Sequence, residues 1–272
     1  MNHFTGTRCI AALIGCSCFF ASTQLLANGS IDPMLSDDLH HVARLRIFFG
    51  HQSVGANLLD GVAQLATKAG VPLKIQESNT AKGVGLGVMG HVRIGKNGNP
   101  TGKLDEFNKA LGQGPTGLNI AVLKFCYVDF TPTTDVKSLF ASYRSTVESI
   151  KARNPGLTIV HVTTPLTTVQ SGPKALIKTF FGKAPYGVLE NLRRDEYNSF
   201  IRETYQGREP IFDLAKIEST APDGASINVA WKGLSIPALS PAYTDDGSHL
   251  NTNGQLVAAR NFLSILASAT ER

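Results

Sequence analysis

Two short stretches near opposite ends of the chain carry residue types that could do chemistry together. The first is "FFGHQSVG", residues 48–55, where an apolar, strand-like run meets a helix-like one with Ser53 at the join. A serine there sits at a helix N-terminus, where backbone N–H groups and the helix dipole favour developing negative charge. Serine is also a favoured helix cap, so the stretch alone leaves both roles open. The second is "YTDDGSHLNTNGQ", residues 243–255, with Asp246 three residues before His249. That spacing lets a carboxylate reach Nδ1 of the imidazole and fix its tautomer; a solvated histidine in a capping loop fits the same letters. A nucleophilic serine needs a base, and the base needs an orienting group.

The other histidines serve this chemistry less well. His3 lies in an N-terminal leader, His40 and His41 precede the first strand, and His161 falls inside a strand as a core or edge residue. His91 follows a glycine-rich stretch.

The elements that must position these residues are read from hydrophobic period. Strands are expected at 44–49, 72–78, 118–125, 157–163 and 210–215, where apolar, β-branched and aromatic residues cluster. Helical spacing covers residues 54–70, with Val54, Leu58, Leu59, Val62 and Leu65 on one stripe, and residues 135–154, ending at Pro155-Gly156. Further helices are expected at 188–205 and 252–267. Strands alternating with helices predict a parallel sheet covered on both faces, with a ligand site beyond the carboxyl ends of the strands. Ser53 occupies that place after the first strand.

"FFGHQSVG" and "DDGSHLN", in this order, resemble the first and last sequence blocks of the SGNH (GDSL-like) hydrolase superfamily. "GKNGNP", residues 95–100, resembles the second block, and "YNSFIRETYQGREPIFDLAKI", residues 197–217, the helix and strand before the last. The resemblance implies a three-layer α/β/α sandwich of flavodoxin-like type with a five-stranded parallel sheet. It implies Ser53 as nucleophile, His249 as base, Asp246 as its orienter, and the backbone N–H groups of Ser53 and Gly98 as oxyanion donors. No cofactor is required. Two departures stand out. His51 and Gln52 occupy the positions between Gly50 and Ser53 where one Asp is usual, and "FCYVD", residues 125–129, has Cys126 and Val128 in place of the third block's Gly and Asn. Valine cannot donate a hydrogen bond. Gln52, Asn57, Asn97 or Tyr127 could supply a substitute.

Other motifs carry less. "GLGVMG", residues 85–90, matches G-x-G-x-x-G in letters, but no helix-like run follows it, and a loop bordering the site is expected instead. No metal-ligand spacing is evident. Residues 221–244 form a long irregular segment in which Trp231 and Tyr243 could wall a sugar or acyl site.

The 272-residue chain is 42% hydrophobic and 17% charged, which fits a globular protein. Residues 1–27 read as a secretory signal peptide and 28–272 as a single domain, exported to the periplasm or beyond. "LIGC" offers an alternative lipid attachment at Cys16. Cys9, Cys16 and Cys18 fall in the leader, leaving Cys126 as the mature chain's one thiol and no intramolecular disulfide. Arg8 is the leader's only charge, so the mature chain has a mild net charge of +4 with scattered basic residues, which gives nucleic acid binding little support. No second apolar run approaches the roughly 20 residues that span a bilayer. The expected activity is a serine esterase acting on small acyl esters, such as O-acetyl groups on carbohydrate. A non-catalytic carbohydrate-binding protein on the same scaffold and a sugar O-acyltransferase are the alternatives.

Overall fold

The computed structural model describes residues 32–270; the leader, with its signal-peptide and Cys16 readings, lies outside them. The chain opens with α1 (Pro33–Val42), β1 (Arg46–His51), α2 (Val54–Ala69), β2 (Lys74–Glu77), β3 (Val88–Arg93) and α3 (Pro100–Leu111). It continues with β4 (Ile120–Leu123), α4 (Val136–Arg153), β5 (Thr158–Val162), α5 (Pro173–Phe180), α6 (Val188–Tyr205) and β6 (Ile211–Phe212). A short α7 (Leu214–Glu218), the hairpin β7 (Asn228–Trp231) and β8 (Leu234–Pro237), and α8 (Thr252–Ser268) complete it.

Among the described residues, six parallel strands form one sheet in the order β2-β3-β1-β4-β5-β6. Side chains alternate faces along each strand. Ile47 and Phe49 of β1 enter a core with α1, α2 and α8, while Phe48 enters a second core with α3, α4 and α6. Each of these fully buried side chains contributes about 1.5–3 kcal/mol relative to exposure. The result is the three-layer, flavodoxin-like α/β/α sandwich.

The sheet has six strands where five were expected. The extra one, β3, lies in the glycine-rich stretch read as a loop, and it pairs with β1 and β2. Gly90 is what lets it do so: a Cβ there would stand 2.8 Å from Val84 Cγ2 and 3.3 Å from Phe48 Cδ2. Close strand packing has taken the glycine, which on paper looked like a breaker. The stretch 221–244, expected to be irregular, holds the antiparallel β7–β8 hairpin.

The strand order fixes where a site can form. From β1 the sheet grows outward on both sides, through β3 in one direction and β4 in the other. The end of β1 is thus a topological switch point, where loops diverge and leave a crevice. Helices α2 and α8, packed on the same face, bring the two chemistry-bearing stretches to that end.

Candidate active site

Ser53 stands between β1 and α2, half-buried. Its helix starts hard against the strand: a Cβ on Gly55 would lie 2.4 Å from His51 Cβ, so only glycine allows this turn. The side chain makes no capping hydrogen bond to α2. Other helices here are capped in the usual way, with Asn99 accepting from Gly102 N–H, Asp135 from Ser138 N–H and Asn251 from Gly254 N–H. The Ser53 hydroxyl instead lies 3.7 Å from Cys126 Sγ. Its backbone N–H is at the start of α2, where the first N–H groups have no acceptor within the helix.

His249 and Asp246 share the turn before α8. His249 Nδ1 lies 2.7 Å from Asp246 Oδ2. A carboxylate only accepts, so Nδ1 donates and the neutral ring presents Nε2 as an acceptor. Asp246 Oδ1 accepts from the backbone N–H groups of Ser248 and His249, both at 2.8 Å. The backbone and side-chain hydrogen bonds from His249 hold the Asp246 carboxyl far below the usual carboxylate range. Asp245 points away, its Oδ1 accepting from Asn251 Nδ2 at 3.2 Å.

The segment after β4 touches both halves. Cys126 meets Ser53, and the Tyr127 ring stands edge-on to His249 with centroids 5.7 Å apart. Asn57, one turn into α2, accepts from Leu250 N–H at 3.3 Å and braces the serine helix to the histidine turn. The Arg194 guanidinium lies 5.7 Å from the Tyr127 ring and donates to its backbone carbonyl at 3.0 Å. Burial lowers the Arg194 pKa to about 10.

Several residues expected to serve the site are held otherwise. The Gly98 N–H donates to Asp129 Oδ1 at 2.9 Å, so this donor is engaged. Asp129 also accepts from Cys126 N–H at 2.7 Å and forms a fully buried pair with Lys103. That pair joins the loop carrying Gly98 to the loop carrying Cys126. Asn97 Oδ1 accepts from Lys103 Nζ at 3.2 Å, and Gln52 donates to the carbonyls of Ile94 and Gly95 at 2.8 and 2.9 Å. Both are braces. Tyr243 is packed in the core around α8 and forms no open wall, because the short 3-10 turn Pro241–Tyr243 points it inward. Trp231 sits on the β7–β8 hairpin under Lys232. Val128 is exposed in the 3-10 turn Tyr127–Asp129.

The structure adds buried titratable groups that sequence reasoning did not select. His51 is buried beneath the start of α2, its Nε2 3.1 Å from His91 Nδ1. Burial, then the nearby Lys124, lowers its pKa to about 3. Lys124 is buried just past β4 and donates to the Phe125 carbonyl at 2.9 Å; burial lowers its pKa. Glu218 is buried too, with one oxygen accepting from Leu166 N–H at 2.6 Å and the other without a partner, and burial raises its pKa to about 8. Their charges look like surface residues in sequence, and no local spacing marks them. A surface groove lined by Thr133, Asp135, Arg193, Glu196 and Phe200 contains none of the residues around Ser53 and His249.

No family model and no curated protein matches the chain. Solved structures do. A GDSL-like lipase from Bacteroides thetaiotaomicron shares 13% identity over 82% of this chain and 87% of its own, with a TM-score of 0.49. The periplasmic domain of a Salmonella ser. Paratyphi A lipopolysaccharide acetyltransferase shares 13% over 86% and 88%, with a TM-score of 0.43. An extracellular lipase from Streptomyces rimosus shares 13% over 82% and 98%, with a TM-score of 0.41. At such identities the chemistry of this chain has to be read from its own side chains.

Proposed function

We propose that the chain is an exported serine esterase that cleaves small acyl esters, with O-acetylated carbohydrate as the first substrate class to test. One observation carries the reading: the Ser53 hydroxyl leaves its own helix uncapped and meets Cys126, whose neighbour Tyr127 stands against a histidine oriented by Asp246.

In this reading, Ser53 Oγ attacks the acyl carbonyl as its proton passes to His249 Nε2. Negative charge gathers on the former carbonyl oxygen, near the N–H groups at the start of α2. The tetrahedral adduct collapses, the C–O bond to the leaving alcohol breaks, and the imidazolium returns the proton to that alcohol. Water, deprotonated by the same imidazole, then releases the acid and restores Ser53. Asp246 holds the ring in the acting tautomer throughout.

The test is hydrolysis of p-nitrophenyl acetate by the wild type and by Ser53→Ala. Activity abolished in the variant, with its melting curve preserved, supports the esterase. A second reading, a non-catalytic carbohydrate-binding protein, draws on the engaged Gly98 N–H and the exposed Val128, which leave fewer oxyanion donors than the SGNH resemblance implies. Wild-type protein with no turnover of any ester, yet with affinity for a polysaccharide, supports that reading.

A further inference from the structure

The exposed apolar surface of the described residues is concentrated on α5 and the turn after it. Leu176 is 71% exposed, Ile177 58%, Phe180 84%, Phe181 69% and Tyr186 70%. The first three follow helical spacing, and Phe181 stands edge-on to Phe180 with centroids 5.3 Å apart. Only Ala175 of the helix is buried. Exposed aromatic and aliphatic groups in one patch of this kind mark an interaction surface.

Charge says what kind. Residues 171–187 contain Lys174, Lys178 and Lys183 and no Asp or Glu. The next acid along the chain, Glu190, is turned back onto the Gly187 N–H. A second copy of the chain seated face to face would set lysines against lysines. Apolar tips ringed by lysines suit a bilayer surface carrying anionic headgroups, with the rings in the interfacial region and the ammonium groups on the phosphates. An eight-residue helix spans about 12 Å, too short to cross, so the contact would be interfacial.

We propose that α5 and the following turn form a docking face for an anionic lipid bilayer. The face is built onto the candidate site. Thr168 donates to the Gly247 carbonyl through its N–H at 2.9 Å and its hydroxyl at 3.3 Å, inside the Asp246–His249 turn. Two residues on, Gln170 donates to the Tyr186 carbonyl at 2.9 Å and accepts from Lys178 Nζ at 2.8 Å. These bonds tie the docking face to the histidine turn.

The test is co-sedimentation of the chain from Asn28 onward, which keeps every element of both cores, with vesicles. Phosphatidylcholine vesicles are compared with vesicles in which phosphatidylglycerol makes up about a quarter of the lipid. The chain should partition onto the anionic vesicles and be released by salt. Replacing Lys174 and Lys183 by Glu should lower partitioning by roughly fivefold per lysine or more. Phe180→Ser with Phe181→Ser should lower it by about tenfold or more, with the melting curve unchanged because both rings are exposed. Ser53→Ala should bind as the wild type does, which separates this proposal from the catalytic one. No partitioning onto anionic vesicles, or partitioning indifferent to both sets of substitutions, overturns it. So does a sedimentation velocity experiment in which the wild type is a dimer and the Phe180/Phe181 variant a monomer.

Discussion

Asp246 Oδ2 lies 2.7 Å from Nδ1 of His249, while the adjacent Asp245 reaches Asn251 instead. One carboxylate of the pair orients the imidazole and the other ties down the start of α8. Asp246→Asn should favour the wrong tautomer and lower kcat by up to about 10⁴-fold, the scale of the same change in a serine protease triad. Asp245→Asn should cost little. Steady-state kinetics of the two variants, with KM reported separately, checks the assignment.

The buried Lys103–Asp129 pair supports two loops at once. Asp129→Asn removes the charge opposite Lys103 and weakens the acceptor of the Gly98 and Cys126 N–H groups. Breaking a buried pair from one side typically costs about 3–5 kcal/mol. A guanidinium unfolding curve should show a loss of that order, with activity falling alongside it.

Gly55→Ala places a methyl group 2.4 Å from His51 Cβ. Backbone must move to admit it, at a cost of about 1–3 kcal/mol. Because Ser53 is two residues away, kcat should drop by more than the stability loss explains at temperatures where the variant stays folded. Circular dichroism melting and kinetics on the same preparation compare the two.

Glu218 gives stability a pH dependence of known sign. Its folded pKa is raised to about 8, because burial disfavours the carboxylate more than the Leu166 N–H, Lys124 and Arg194 favour it. Between the ordinary carboxylate value and about 8, the folded chain holds a proton that the unfolded chain has lost. This contribution therefore falls as pH rises through that window, by an amount on the order of a few kcal/mol. Glu218→Gln should flatten the decline. Urea unfolding of both proteins at pH 5 and pH 8 measures it.

Val128→Asn tests whether the third block lacks a donor. A gained oxyanion contact should raise kcat by about tenfold or more. An unchanged kcat would mean that the exposed position 128 does not face the reacting carbonyl.

The residues of the site and the elements behind them differed in how plainly they could be read. The place of Ser53 at a strand end and the Asp246–His249 contact are legible because their signals are local: a period change between strand and helix, and a one-turn spacing before a helix. Helices α2 and α4 are legible from apolar stripes that the cores bury. Strand β3 was hidden by glycines whose small size close packing requires. The Lys103–Asp129 pair was hidden because charged residues 26 positions apart read as solvated until the fold joins them. That hidden pair also holds the Gly98 N–H that the SGNH resemblance had assigned to the oxyanion. Tyr243 reads as a wall because it ends a long irregular segment just before the histidine turn, and a short turn sends it into the core instead.

Covalent labelling tests Ser53 as the nucleophile without a known substrate. The chain is treated with a fluorophosphonate, digested, and its peptides are mapped by mass. One phosphonylated residue, Ser53, is expected, with labelling lost in Ser53→Ala and strongly slowed in His249→Ala. Label on another serine, or an unlabelled Ser53 in folded protein, contradicts it.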